Sequence, residues 1–311
     1  FIDEFCFLDE VDILHTFAEV ALINLSAIPH AMCRSISVLS VRTVTFPGRT
    51  VRSTIQSLTG MCVRRVHTHI LNFTDKMINL LYIDLFCGAG GTSTGVENAR
   101  VNESQCAKVI ACVNHDANAI ASHAANHPDA LHFTEDIRTL ELSGLVAHVE
   151  KMKMQYPDAY VVLWASLECT NFSKAKGGQP RDADSRTLAE HLFRYIEAIN
   201  PDYIQIENVE EFMSWGEMDE KGHLISKDKG RCYEKWKRNV KKYGYDFDWK
   251  ILNAANYGAY TTRKRFFGIF AKRGLPIVFP DATHCKDGKT DMMGRLEKWN
   301  PVKDVLDFTD E

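Results

Sequence analysis

The sequence has no apolar run of roughly 18 residues, the length that a helix needs to cross a bilayer. Its nine cysteines are scattered, with no Cys-x-x-Cys pair and no Cys/His spacing typical of a zinc site. The first residues, Asp3 and Glu4 among them, are acidic where a secretory signal peptide carries positive charge. We therefore predict no membrane span, no metal, and reduced thiols in a cytoplasmic compartment.

The chain also has no excess of charge of one sign. Its formal net charge is only −4 over 311 residues. This net charge neither supports nor excludes a nucleic-acid partner, which would have to be bound by a local basic patch. Internal repeats and low-complexity tracts are absent from the sequence, which argues against a solenoid or a disordered chain. Apolar residues make up 45% of the chain, which is enough for a full core.

A regular alternation of short apolar runs and helical stretches begins at Met77. Apolar runs separated by helices of this length are typical of βαβ units and a parallel sheet. Two later runs, residues 246–252 and 266–271, are close enough in sequence to pair antiparallel. We predict an α/β fold whose sheet is mostly parallel with an antiparallel last strand. Residues 1–76 lack sustained periodicity and are predicted to be an N-terminal extension of unknown role.

The first apolar strand leads directly into a glycine cluster, Asp84-Leu-Phe-Cys-Gly-Ala-Gly-Gly91, and a helix follows. Glycine permits a sharp turn and a close approach to a ligand, and the helix start presents free amide groups. This arrangement is that of a nucleotide site at the carboxyl end of a parallel strand. The cluster is neither GxGxxG nor a phosphate loop. Many α/β domains have such a turn without a ligand, so the turn alone favours neither interpretation.

Polar groups lie at the ends of three later apolar runs. Cys169 follows the run at residues 159–165 and Glu207 follows the run at residues 202–206, while Arg263 and Arg265 precede the run at residues 266–271. Two arginines separated by one residue in an extended chain face the same side, and strand ends are where α/β proteins carry catalytic groups. Taken singly, a buried structural thiol, a strand-end salt bridge and a solvated basic cluster are the commoner interpretations.

The order of these motifs resembles that of the DNA cytosine-5 methyltransferase family. The four segments similar to the family's cofactor loop, catalytic loop, acid motif and arginine motif are Asp84–Gly91, Cys169–Ser173, Glu207–Val209 and Thr261–Arg265. They occur in family order over about residues 79–275. The resemblance implies a Rossmann-like, S-adenosylmethionine-dependent methyltransferase fold, with residues 77–275 as the catalytic domain.

By this resemblance, the cofactor S-adenosyl-L-methionine is bound at the ends of the first three strands. Phe86 would lie against the adenine ring, and Asp136 would accept a hydrogen bond from the adenine amino group. Asn114 stands where the family usually has an acid for the ribose hydroxyls, and capping of the next helix is its alternative role. The residues implied in cofactor binding are Asp84, Phe86, Gly88, Ala89, Gly90, Gly91, Asn114, His115, Asp136 and Ile137.

The implied reaction methylates carbon 5 of cytosine in double-stranded DNA, with the base flipped out of the duplex. The Cys169 thiolate would add to carbon 6, while Glu207, a partly buried acid, assists at ring nitrogen 3. Arg265 would bind the 2-oxygen, and Arg263 would steady the catalytic loop or the DNA. A cognate restriction endonuclease is a candidate partner of such a bacterial or phage-type enzyme.

Three positions depart from the family pattern. Glu168 replaces the Pro before the cysteine, Asn114 replaces the acid, and Thr261 replaces the Gln of the arginine motif. A carboxylate that points towards the thiol disfavours the thiolate. We also expect residues 276–311 to hold only the start of the connection to the family's target-recognition region, and therefore little methylation by this chain. Two alternatives stay open: an inactive cofactor- or DNA-binding relic, and a transfer-RNA cytosine-5 methyltransferase.

Overall fold

The computed structural model describes residues 78–101, 103–167, 188–216, 226–291 and 294–306. The predicted extension, residues 1–76, lies outside the described residues. The described strands are β1 (Leu80–Leu85), β2 (Arg100–Val101), β3 (Ser104–Gln105), β4 (Ala107–Val113), β5 (Leu131–Phe133), β6 (Tyr160–Ser166), β7 (Tyr203–Asn208), β8 (Tyr245–Asn253), β9 (Lys264–Lys272), β10 (His284–Cys285), β11 (Lys289–Asp291) and β12 (Gly294–Lys298). The described α-helices are α1 (Gly91–Asn98), α2 (Ala117–Asn126), α3 (Ser143–Gln155), α4 (Leu188–Ile199) and α5 (Arg231–Lys242).

Seven strands form one sheet in the order β5-β4-β1-β6-β7-β9-β8. The first five strands in this order are parallel, whereas β9 lies antiparallel to both β7 and β8. The predicted α/β fold and its antiparallel last strand are thereby confirmed. The chain passes from β1 to β4 on one side and later to β6 on the other. This reversal opens a crevice at the carboxyl end of β1.

The central strands are almost continuously apolar because both faces of the sheet are covered. In β1, Leu81 and Ile83 belong to one buried cluster, whereas Leu80 and Tyr82 belong to the cluster on the opposite face. The alternation follows from the two-residue period of a strand. Burial of each such side chain contributes about 1.5–3 kcal/mol, so these runs fix β1 at the centre of the sheet.

Helices α4 and α5 pack against each other beside the half of the sheet that contains β7. Each buries one stripe of apolar residues, as the spacing of Leu192, Tyr195 and Ile196 in α4 illustrates. The indole Nε1 of Trp236 in α5 donates a hydrogen bond to the carbonyl oxygen of Ala189 at 2.8 Å. This contact holds the two helices in register.

A small three-stranded sheet, in the order β10-β12-β11, follows the large one and was not predicted. Trp299 Nε1 donates to Asn256 Oδ1 at 3.0 Å, and Asn300 Nδ2 donates to the Gly258 carbonyl at 2.7 Å. These contacts fasten residues after 275 to the turn that precedes β9. None of the helices in the described ranges combines the length and apolar composition needed to cross a membrane.

Candidate active site

The turn after β1 has a left-handed backbone at three positions. The φ angles are 62° at Phe86, 52° at Gly88 and 102° at Gly90. Glycine adopts this conformation freely, whereas a phenylalanine is strained in it. The Phe86 amide donates to the Val113 carbonyl at 2.9 Å, so the end of β4 holds the strained residue in place. Strain of this kind clusters at ligand-binding sites, and it presents a half-buried aromatic ring at this turn.

Gly90 packs closely against two histidine rings, so a side chain at this position would push them aside. A Cβ atom on Gly90 would lie 3.0 Å from the His127 ring and 3.2 Å from the His123 ring. The Gly90 carbonyl accepts from both the amide and the hydroxyl of Thr94 at 2.8 Å, which starts α1 directly behind the turn. Burial lowers the pKa of His123 to about 3, so its ring is neutral. Glycine at position 90 therefore permits both the left-handed backbone conformation and the close packing against the two histidine rings.

Asp84 connects the end of β1 to the helix that follows the turn. It is buried at the end of β1, and its Oδ2 accepts a hydrogen bond from Ser93 Oγ in α1 at 2.8 Å. Burial raises the pKa of Asp84 to about 7. Its other oxygen, Oδ1, has no hydrogen-bond partner within the part of the chain that the structure describes. A buried unpaired oxygen costs about 1–3 kcal/mol, which a ligand that donates a hydrogen bond would recover.

Asn114 and His115 follow β4 next to this turn. The Asn114 amide donates to the Phe133 carbonyl at 3.1 Å, which joins the ends of β4 and β5. Its side-chain Oδ1 accepts from the Asp116 amide at 2.9 Å, and the Asp116 carboxylate in turn accepts from the Asn118 amide at 2.8 Å. The cap of α2 is therefore Asp116, and Asn114 shapes the turn before it. His115 is exposed.

Asp136 lies after β5 and is already held by an arginine. Arg138 donates from Nε and Nη2 to its carboxylate at 2.6–3.0 Å. These bonds keep the pKa of Asp136 below its usual value, so the group is an acceptor at neutral pH. An adenine amino group would share the carboxylate with Arg138. Ile137 is buried in the core, and its carbonyl accepts from the Tyr195 hydroxyl at 3.0 Å.

The acid and one arginine of the predicted catalytic set lie in direct contact. Arg265 Nε is 3.1 Å from Glu207 Oε1, and the two side chains are only 16% and 14% exposed. Because β9 is antiparallel to β7, its first residues meet the carboxyl end of β7. The guanidinium favours the ionised carboxylate. Arg263 is half-buried like Arg265, and Lys264 between them is exposed, in agreement with two arginines on one side.

Asn208 is a positioning residue for which the sequence alone indicated no role. It is buried, and its Nδ2 donates to the Leu167 carbonyl at 3.2 Å, so the ends of β6 and β7 are tied together. Its Oδ1 accepts from the Val209 amide at 2.8 Å. Its place between Glu207 and Val209, in the segment that resembles the family's acid motif, was the available signal. Glu168 and Cys169, which follow Leu167, lie outside the described residues, so the nucleophile stays a prediction.

The described candidate residues share one edge of the sheet. The glycine turn lies at the carboxyl end of β1, and the Glu207–Arg265 pair lies where β7 meets β9; only β6 separates β1 from β7. Pairing of Ser166 with Glu207 brings the end of β6 to the acid. This end of the sheet thus offers a turn with an unpaired acceptor buried beneath it and, with only β6 between them, an acid beside a guanidinium.

The model of the C-5 cytosine-specific DNA methylase family matches residues 80–308. The Type II methyltransferase M1.HphI of Haemophilus parahaemolyticus is 28% identical over 232 residues, which cover 74% of this chain and 56% of that protein. The Type II methyltransferase M.AgeI of Thalassovita gelatinovora is 29% identical over 203 residues, covering 65% and 42%. The chain thus spans about half the length of these curated relatives.

Among solved structures, the Entamoeba histolytica methyltransferase EhMeth matches with a TM-score of 0.48 and 15% identity, covering 75% of this chain and 61% of that one. The family match begins at β1 and extends beyond β12, so it includes every strand of the sheet that carries the candidate residues. It covers well over half of the sequence, and the chain therefore belongs to the C-5 cytosine-specific DNA methylase family.

Proposed function

We propose that this chain is the catalytic part of a DNA (cytosine-5-)-methyltransferase that methylates cytosine in double-stranded DNA. The observation that carries the proposal is the Glu207–Arg265 pair, which only β6 separates from the strand that ends at the glycine turn. Cytosine presents ring nitrogen 3 next to its 2-oxygen. A carboxyl group beside an N–H donor matches these two adjacent atoms. The same edge of the sheet therefore has groups for both the cofactor and the base.

The turn after β1 fits S-adenosyl-L-methionine, which when bound supplies an electrophilic methyl group. Gly88 has no atom within 4 Å of the place where a Cβ would lie, so a ligand can approach its backbone. The unpaired Asp84 Oδ1 is an acceptor buried at the end of β1, beneath this turn. Phe86 offers a half-buried ring for packing, and Asp136 offers an ionised acceptor at the end of β5.

In the proposed reaction, the Cys169 thiolate forms a bond from its sulfur to carbon 6 of the extruded cytosine. The electron density that this addition pushes into the ring makes carbon 5 nucleophilic. After methylation, a base removes the proton on carbon 5, and the thiolate leaves as the bond between carbons 5 and 6 is restored. The sulfur is therefore unchanged at the end of the cycle.

Glu207 needs a proton to assist at ring nitrogen 3, and its ion pair with Arg265 favours the carboxylate. We propose that entry of the cytosine edge separates the pair. Arg265 then donates to the 2-oxygen, and Glu207 takes up a proton from solvent, which it shares with nitrogen 3. Preorganised groups of this kind stabilise the charge that thiolate addition creates.

Double-stranded DNA is the proposed substrate because the chain belongs to a DNA methylase family. Relatives of this chain include Type II methyltransferases of two bacteria. On that basis we propose a restriction endonuclease of matching specificity as the partner in the cell, and the cytoplasm as the place of action.

Methyl transfer from S-adenosylmethionine with a tritiated methyl group tests the activity. We expect slow labelling of duplex DNA, recovered as 5-methylcytosine, and no labelling of transfer RNA. Cys169→Ala should abolish the label, whereas the matched thiol control Cys232→Ala should retain it. Label in transfer RNA alone would overturn the substrate, and label that survives in Cys169→Ala would overturn the mechanism.

A further inference from the structure

Three buried side chains meet beneath the glycine turn, outside the predicted catalytic set. They are Cys87 in the turn, Cys112 in β4 and His123 in α2. One ligand atom from each lies within 4.8 Å of the other two. Cys87 Sγ donates to the Gly88 carbonyl at 3.6 Å, and Cys112 Sγ lies 3.5 Å from His123 Nδ1. Two thiols and an imidazole are the donor set that zinc prefers.

The hydrogen bonds around His123 fix which nitrogen faces the sulfur atoms. Ser93 Oγ donates its proton to Asp84 Oδ2 at 2.8 Å, so it accepts from His123 Nε2, 2.9 Å away. His123 is therefore protonated on Nε2, and the lone pair on Nδ1 is directed towards Cys112. Metal-binding histidines have their second nitrogen held by hydrogen bonds that lead to a carboxylate in the same way.

The spacing of the sulfur and nitrogen atoms is close to that of a zinc site. With zinc–sulfur bonds of about 2.3 Å and zinc–nitrogen bonds of about 2.0–2.1 Å, a tetrahedral site has sulfur–nitrogen edges of about 3.5 Å. The distance from Cys112 Sγ to His123 Nδ1 is 3.5 Å. His132 Nε2 in β5 lies 3.0 Å from His123 Nδ1 and is a neighbour of the group of three ligand atoms.

We propose that Cys87, Cys112 and His123 bind a zinc ion. Binding releases the two thiol protons, and the two thiolates balance the charge of the ion, so no net charge is buried. The ion would tie the cofactor turn to β4 and α2. The sequence predicted no metal because these ligands come from three separate elements and have no short spacing.

The metal content of the full chain tests this site without reference to methylation. The protein is produced with a tag that contains no histidine, and elemental analysis after gel filtration should find about one zinc per chain. Cys112→Ser and His123→Gln should each lower this content at least about tenfold. Cys106→Ser, which alters a buried thiol in a different cluster, should leave it unchanged.

Cobalt replacement gives a second measurement on the same variants. Wild type and Cys106→Ser should show the thiolate-to-cobalt charge-transfer absorption, and Cys112→Ser should lack it. Metal-free wild type, with Cys87 and Cys112 either alkylated as free thiols or joined in a disulfide, would overturn the site. Full zinc content in both Cys112→Ser and His123→Gln would overturn it as well.

Discussion

Arg265 Nε lies 3.1 Å from Glu207 Oε1, where the start of β9 meets the end of β7. Both side chains are mostly buried, so each partner compensates the charge of the other in a region with little water. Removal of one partner from a buried pair leaves an uncompensated charge. The pair is therefore both a structural contact and the proposed contact with the cytosine edge.

Glu207→Gln keeps the size of the side chain and removes both the charge and the acid. We expect the single-turnover rate of methyl transfer to fall by about 10²–10⁴-fold, while the affinity for S-adenosylmethionine stays within about twofold because β6 separates Glu207 from the strand that ends at the cofactor turn. Rapid-quench kinetics and calorimetry measure the two quantities. Glu210→Gln, an exposed control, should change neither. An equal loss of cofactor affinity would place Glu207 in the cofactor site instead.

Asn208→Ala removes the hydrogen bond that ties Leu167 to β7. We expect a loss of about 1–3 kcal/mol in the free energy of unfolding, because the buried Leu167 carbonyl loses its donor, and a lower methyl-transfer rate, because Leu167 leads to Cys169. Asn126→Ala is the matched control, since it removes an exposed side-chain-to-carbonyl bond of 3.0 Å. Urea denaturation that gives equal stability for both variants would contradict this assignment.

Gly88 and Gly90 share a positive φ and differ in their surroundings. Gly90→Ala places a methyl group against the rings of His127 and His123 and should lower stability by more than about 1 kcal/mol. Gly88→Ala meets no neighbouring atom, so its cost should be smaller, but its methyl group enters the open space of the turn and should weaken S-adenosylmethionine binding. Thermal denaturation and cofactor titration separate the two effects. Identical profiles for the two variants would contradict the assignment of the open space to the cofactor.

Asp84 should make stability depend on pH. Burial raises its pKa from 3.8 to about 7, so at intermediate pH the native protein holds a proton that the unfolded chain has released. The stability that this proton contributes is full below the unfolded value and is lost as pH rises through the folded value. Between about pH 5 and pH 8, wild type should lose more unfolding free energy than Asp84→Asn, which keeps an acceptor for Ser93. Equal pH slopes in denaturant titrations would show that Asp84 does not titrate there.

The large sheet could be predicted because its strands are set by local patterns. Residues 246–252 and 266–271 were expected to pair, and β8 and β9 do pair antiparallel over slightly longer spans. The strands β10, β11 and β12 are only two to five residues long, and β10 and β12 are half-buried or exposed. Strands this short show no recognisable alternation of apolar and polar residues. Their position depends on contacts with distant residues such as Asn256.

The candidate site was predictable where a motif coincides with a strand end, as it does for Asp84 and Glu207. Contacts between distant residues were not predictable. The Asn208 bond to Leu167 joins residues 41 positions apart, and the Cys112–His123 contact depends on how α2 packs on β4. The hydrogen bonds from Arg138 to Asp136 join residues that are close in sequence. They were not predictable either, because the direction of the arginine side chain depends on the folded turn.

Covalent trapping of the predicted nucleophile is the most direct test of the proposed mechanism. Fluorine at carbon 5 of cytosine cannot be removed as a proton is, so the sulfur–carbon bond persists even when turnover is slow. With S-adenosylmethionine and a duplex containing 5-fluorocytosine, we predict a protein–DNA adduct that survives denaturation and maps to Cys169 by mass spectrometry. The adduct should be absent in Cys169→Ser and present in Cys232→Ser. Wild-type protein that forms no adduct, or forms one at another cysteine, would contradict covalent catalysis by Cys169.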